Sequence, residues 1–174
     1  WMRFLKPGKV YYNTNMTRPY MDYVDKSPCA MRFAMLKKIW QDRKVVLIEG
    51  EKSRLGVGND LFSTAASVQR ILAPATNAFD KYKELLTRAC QLEKDTLILI
   101  ALGPTATILA YDLAKCGYQA LDIGHVDVEY EWFQMGATSK VPLKNKYVNE
   151  SLQGRNIGEL QDEEYISQII DRIE

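Results

Sequence analysis

The chain has 174 residues, 47% hydrophobic and 26% charged, which is enough apolar material for one buried core. Its formal net charge of +1 leaves no basic stripe to neutralise a phosphate backbone, arguing against nucleic acid as the main partner. No apolar run approaches the ~20 residues of a membrane span and no signal peptide precedes the first charged residues, so a cytoplasmic domain is expected.

In chain order, Pro28 to Trp40 reads as an amphipathic helix with Met31, Met35, Leu36 and Ile39 inward. Lys44 to Ile48 is an apolar strand, followed by a loop from Glu49 to Asp60 that contains three glycines (Gly50, Gly56 and Gly58). The loop lacks the Gly-Lys-Ser/Thr ending of a P-loop and the Gly-x-Gly-x-x-Gly dinucleotide pattern, so ATPase and NAD readings are weak. Arg54, with Lys52, suits phosphate oxygens; Glu51, Asn59 and Asp60 suit sugar hydroxyls. The alternative is a surface loop whose Asn59 or Asp60 caps a following helix.

Val68 to Ala73 is a short strand. Ala78 to Glu93 is a helix with Phe79, Tyr82, Leu85, Leu86 and Ala89 on one stripe, and Asn77 is either its cap or a ligand group. Thr96 to Leu102 reads as a buried parallel strand. Gly103, Pro104 and Thr105 punctuate it, with Pro104 suited to a first helical turn. A helix from Ala106 to Cys116 stops at Gly117, and Tyr118 to Ile123 returns as a strand. This strand–helix–strand unit predicts an α/β, Rossmann-like, mostly parallel sheet flanked by helices. Ligands of such sheets bind beyond the carboxyl ends of the strands, near helix N-termini. Cys90 and Cys116 are expected to be buried thiols, and with Cys29 they show no metal spacing, as in a reducing cytosol. The tail from Asn156 is weakly structured until a helix from Asp162 to Ile173, packing Tyr165, Ile166, Ile169 and Ile170.

Between His125 and Trp132 polar and apolar residues alternate strictly. As an extended segment this puts His125, Asp127, Glu129 and Glu131 on one side. Carboxylates so clustered repel unless a cation or protons intervene, and an Asp-x-Glu pair in that geometry can hold Mg²⁺ or Mn²⁺. The competing reading is the solvated face of a half-buried strand. His125, the single histidine, is either a structural hydrogen-bonder or a functional group.

Five motifs taken together resemble the D-type glycosyltransferase (GT-D) domain family: Arg-Pro-Tyr-Met-Asp-Tyr from Arg18, the Glu49 to Asp60 glycine loop, Pro-Ala-Thr-Asn-Ala-Phe from Pro74, Leu-Gly-Pro-Thr-Ala from Leu102, and Asp-Ile-Gly-His-Val-Asp-Val-Glu-Tyr-Glu-Trp from Asp122. The resemblance spans roughly Tyr12 to Glu150. It implies a Rossmann-like transferase that moves a sugar from a UDP-sugar to a glycan or glycoprotein acceptor, assisted by Mn²⁺ or Mg²⁺ on Asp127 and Glu129. It also implies nucleotide-sugar contacts at Arg18, Gly50, Ser53, Arg54, Gly56, Gly58, Asn59, Asn77, Gly103, Pro104, Thr105 and His125. If the reaction inverts, a carboxylate base is needed, for which Glu131, Asp60 and Glu51 are the candidates. The family carries an Arg-Phe-Gly-Asp-Gly-Glu type of motif ahead of Arg-Pro-Tyr, which this chain, starting at Trp1, lacks. A single-domain fragment of a longer chain, or an atypical member, is therefore expected, missing part of the donor or acceptor site. A non-catalytic nucleotide- or glycan-binding module and a metal-dependent phosphoesterase are the alternatives.

Overall fold

A computed structural model describes residues 3, 5–11, 13–151, 153–154 and 157–174. Five parallel strands make one sheet: β1 (Lys44–Gly50), β2 (Ser67–Ala73), β3 (Leu97–Ala101), β4 (Gln119–Asp122) and β5 (Ile169–Arg172), in the order β4-β3-β1-β2-β5. Burial on both faces explains the unbroken apolar runs. Leu97 to Ile100 of β3 are all completely buried, as a central parallel strand requires. Pairing runs Val45↔Leu97 and Ile48↔Ile100 on one side of β1, and Lys44↔Ser67 and Gly50↔Ala73 on the other.

One face of the sheet carries α1 (Cys29–Trp40) and α4 (Val126–Gln134); the other carries α2 (Tyr82–Ala89) and α3 (Pro104–Lys115). Odd-numbered residues of β1 (Val45, Leu47) join the first core with Phe33, Trp40, Leu61 and Trp132. Even-numbered ones (Val46, Ile48) join the second with Leu85, Leu109 and Leu113. The period of two along a strand thus divides the sequence between two layers.

Several expected elements differ. The buried stripe of α1 is Cys29, Phe33, Leu36 and Trp40, whereas Met31 and Met35 are about 60% exposed (62% and 60%). The large aromatic residues occupy the space under the sheet, and the helix is rotated to seat them. The helix expected from Ala78 begins as a 3₁₀ turn (Ala78–Lys81), which leaves Phe79 exposed, and becomes α-helical only at Tyr82. Cys116 is exposed and Cys90 only half-buried.

The terminal helix is a single short turn, α5 (Glu163–Ser167), capped by Asp162 Oδ1, which accepts from Tyr165 N at 2.9 Å. The chain then becomes β5. The isoleucines at 169, 170 and 173 fit a helical stripe and a strand equally well. The open edge of β2 decides between them, because its amides and carbonyls need partners: Arg70 N donates to Gln168 O at 2.7 Å and Ile173 N to Leu72 O at 2.8 Å.

Candidate functional site

The largest correction falls on the carboxylate segment. His125 to Trp132 is not extended: Val126–Gln134 is the helix α4, with His125 at its N-cap. It is buried nearly all round, with Val126, Asp127, Val128, Glu129, Tyr130 and Trp132 each at most 9% exposed. A helix wrapped on every side has no single polar face, so the alternation carried no strand information.

The change of period also separates the acidic residues. At ~100° per residue, Asp127 and Glu131 (i, i+4) share a face, while Glu129 points the opposite way. Asp127 accepts from Lys146 Nζ at 2.7 and 3.0 Å, from Gly56 N at 2.8 Å and from Asn59 Nδ2 at 2.9 Å. Glu131 Oε1 accepts from the same Lys146 at 2.8 Å and from Asn59 at 2.7 Å. Glu129 Oε2 instead accepts from the backbone amides of Tyr20 (2.9 Å) and Met21 (2.7 Å), anchoring the Arg18–Tyr23 segment. Asp127 and Glu129 therefore do not fit a divalent ion held between them. Their carboxylates diverge, and an ammonium already meets the charge of Asp127. In this structure Asp127 and Glu129 Oε2 accept from separate partners, while Glu129 Oε1 is buried without a hydrogen-bond partner among the described residues.

The glycine loop serves this same cluster. Arg54 is 4% exposed, and its guanidinium donates to Asn145 O (3.0 Å) and Gly158 O (2.7 Å), which are backbone carbonyls that it stitches together. Gly56 has φ +75°, and a Cβ there would lie 2.6 Å from the Phe62 ring, so glycine is needed for a close turn. Gly56, Gly58 and Asn59 line a recess of about 430 Å³ against Arg70 and Tyr165, away from the strand ends near Gly103 and Gly124. Asn59 Oδ1 accepts from Leu61 N at 2.9 Å, the local turn-forming role of such residues. Asp60 is held by Lys37 at 2.7 Å and by the Tyr130 hydroxyl, which donates at 2.6 Å; the bond to Lys37, then that to Tyr130, keeps its carboxyl below the usual range. Beneath the loop Glu49 and Arg70 form a buried ion pair, and Leu55 N donates to Glu49 Oε2 at 2.7 Å. Sequence reasoning missed this pair, since a lone acid at a strand end and a lone arginine in the next strand carry no joint pattern.

Other expected site residues do converge. A cavity of about 330 Å³ lies over the carboxyl ends of β1, β2, β3 and β4, where the strand order reverses direction across β1. Gly50, Ser53, Asn77, Gly103, Pro104 and His125 all line it. Two helices point their N-termini at it: α3, capped by Gly103 with Pro104 in the first turn, and α4, capped by His125. Neither cap uses a side-chain oxygen; Pro104 has no N–H, and Ala106 N and Val126 N donate to Gly103 O (3.0 Å) and Ile123 O (3.1 Å), which leaves the other first-turn amides for an anion. The Thr105 side chain is 5% exposed and sits inside the first turn of α3 rather than on the cavity wall. Asn77 adopts φ +54° and its side chain makes no cap bond. Gly124, φ +48°, brings the wall against Thr17, whose Oγ1 would be 3.1 Å from a Cβ there.

Arg18 reaches the cavity through His125. Its Nη2 lies 3.2 Å from His125 Nδ1, and because a guanidinium only donates, Nδ1 accepts and the ring proton belongs on Nε2, which faces Asn149 Oδ1 at 3.4 Å. Arg18 Nη1 also donates to Glu150 at 2.9 Å. Burial alone would raise the Glu150 carboxyl, but the Arg18 bond, the neighbouring His125 and the Lys140 bond outweigh it and hold it below its ordinary value. Tyr147 and Asn149, which complete the wall, come from an aperiodic loop that gave no sequence signal. The bond from Tyr147 N to Lys52 O (2.9 Å) brings that loop in.

In parallel α/β sheets ligands bind at such a switch point, and helix N-termini there favour anions. The sequence pattern of the glycosyltransferase GT-D fold family matches residues 1–151, and the chain belongs to that family. It is 48% identical over 160 residues to a probable glycosyl transferase of Streptococcus gordonii, and 45% identical over 163 residues to the glycosyltransferase GlyD of Streptococcus pneumoniae. These alignments cover 92% and 94% of the chain but only 24% and 20% of those relatives. A solved glycosyltransferase from Streptococcus sanguinis superposes with a TM-score of 0.88 at 46% identity, covering 92% of this chain and 60% of that one. A domain described as having a distinct glycosyltransferase fold matches at TM-score 0.87 and 46% identity, over 92% of this chain and 58% of its own.

Proposed function

We propose that the switch-point cavity binds the nucleotide diphosphate of a UDP-sugar and that the chain forms the donor-binding part of a glycosyltransferase. The observation that carries this reading is the convergence of the α3 and α4 N-termini on one cavity in a member of the GT-D family. Breaking the bond between the anomeric carbon and the diphosphate leaves growing negative charge on the leaving oxygen. Open helix amides favour that charge, and they are fixed before the reaction begins. His125, with its Nδ1 engaged by Arg18, offers an N–H donor at the same wall, while Ser53 and Asn77 offer polar groups for sugar or ribose hydroxyls. The family resemblance supports the choice of uridine. A Mn²⁺ or Mg²⁺ ion acting in this reaction needs ligands other than the Asp127–Glu129 pair.

The test is thermal melting with UDP, ATP, NAD and GDP, each with and without Mn²⁺. UDP is expected to give the largest shift, since ligand at 100 times its dissociation constant stabilises by ~2.7 kcal/mol. An equal or larger response to NAD or ATP discards the donor assignment.

A further inference from the structure

Helices α2 and α3 share one core over the same face of the sheet, and each ends on a cysteine. Cys90 is the C-cap of α2 and Cys116 the C-cap of α3. At the start of α2 the Tyr82 hydroxyl donates to Asp112 Oδ2 of α3 at 2.6 Å, which fixes one helix against the other. Their far ends are tied as well. The Tyr118 hydroxyl bonds the carbonyls of Cys90 (2.7 Å) and Leu92 (2.9 Å), and Lys94 Nζ donates to Cys116 O at 2.7 Å. Lys94 also lies 3.6 Å from the centre of the Tyr118 ring. The turn after α2 is thus folded onto the turn after α3, and the Cys116 thiol is the hydrogen-bonding neighbour of the Cys90 thiol.

The two thiols differ in access. Cys116 is exposed and Cys90 half-buried. Burial, and after it the Cys116 sulfur, push the Cys90 thiol up. A reagent in solution therefore meets Cys116 first, and Cys90 waits beside it. The Lys94 ammonium next to the pair favours a thiolate there. Cys29 stands apart: it is completely buried, and its Sγ donates to Pro19 O at 3.1 Å. Neither Cys90 nor Cys116 lines the donor cavity.

We propose that Cys90 and Cys116 form a redox-active dithiol that closes to a disulfide by exchange with a small-molecule disulfide. The Cys116 thiolate attacks one sulfur of oxidised glutathione, whose S–S bond breaks, and one glutathione thiolate leaves with the electron pair. The Cys90 thiolate then attacks the Cys116 sulfur of the mixed disulfide and expels the second glutathione. Two electrons pass from the cysteines to the reagent, and the two thiol protons end on the two reduced glutathiones. The bond closes the 90–116 segment, which carries β3 and α3, onto the end of α2.

The parent protein, Cys90→Ser and Cys116→Ser are equilibrated with mixtures of reduced and oxidised glutathione, quenched with acid, unfolded, alkylated and weighed by mass spectrometry. The parent should lose two hydrogens, keep one alkylatable thiol (Cys29) and yield a peptide joining positions 90 and 116. Cys90→Ser should stop at a single glutathione adduct on Cys116, and Cys116→Ser should acquire its adduct roughly tenfold or more slower. The bridged parent should melt about 5–10 °C above its reduced form, because the cross-link restricts the unfolded chain. The proposal is overturned if the parent keeps three thiols in oxidised glutathione alone, or if it rests as a stable glutathione adduct. It is equally overturned if the bridge joins two chains, if Cys29 enters it, or if the bridged form melts below the reduced one.

Discussion

Asp127 is completely buried, and its charge is met by Lys146 on one side and by Gly56 N and Asn59 on the other. Removing one member of a buried ion pair leaves the other uncompensated, which costs roughly 3–5 kcal/mol. Asp127→Asn should fall near the lower end, about 3 kcal/mol, because Glu131 continues to face Lys146 at 2.8 Å. Urea denaturation at constant slope measures this, and Mn²⁺ titration of the variant should match the parent. A stable variant with an altered Mn²⁺ isotherm would restore the metal reading. Arg54 separates two roles in the same way. If its guanidinium serves Asn145 O and Gly158 O, Arg54→Ala should cost about 1–3 kcal/mol of stability and leave UDP affinity within twofold. A loss of UDP affinity without a loss of stability would return Arg54 to the phosphates.

At the scale of elements, the glycine loop and α4 depend on each other. The loop closes only because Gly56 takes a positive φ, directs its amide at Asp127 and leaves room for the Phe62 ring. Gly56→Ala meets both the backbone strain and a 2.6 Å contact, and should destabilise by about 1–3 kcal/mol. Differential scanning calorimetry checks this, and a melting temperature equal to the parent's would show that the loop is not the anchor of α4. Helix α4 tolerates three acidic residues because each has a donor outside the helix: Lys146, the Tyr20 and Met21 amides, and Asn59. With the sequence alone those donors are invisible, lying up to 109 positions away.

For the whole molecule, the acid response draws on carboxylates held below their ordinary values: Asp60 by Lys37 and Tyr130, Asp25 by its bonds from Ser27, and Glu150 by Arg18, His125 and Lys140 against the effect of burial. A carboxyl with a depressed folded pKa binds its proton more readily in the unfolded chain, so its contribution is fully present above the unfolded value of ~4 and is lost as pH falls through the lower folded value. Stability should therefore decline below about pH 4, and Glu150→Gln should flatten that decline while lowering the neutral-pH plateau. Denaturant midpoints from pH 7 to pH 2 test this, and an unchanged acid limb in the variant would show that the Arg18–Glu150 pair contributes nothing.

The class of fold was legible in the sequence, because β1 and β3 carry apolar runs that end at or near Gly, and burial on both faces of a parallel sheet demands such runs whatever the remote contacts. The turn at Gly103 and Pro104 was legible for a similar local reason: a helix start after a strand has its own chemistry. Tertiary structure alone decided the fate of His125 to Trp132, where an alternating pattern lies in a helix buried nearly all round and partners from three other segments absorb the charges. It also decided that Ile169 to Arg172 is a strand, since the open edge of β2 supplies hydrogen bonds that no local signal predicts. The cavity wall divides along the same line. Its glycines and Asn77 answer to local backbone geometry and can be read in advance, whereas Tyr147 and Asn149 join it only because distant loops are tied together by backbone hydrogen bonds, to which side-chain sequence is nearly blind.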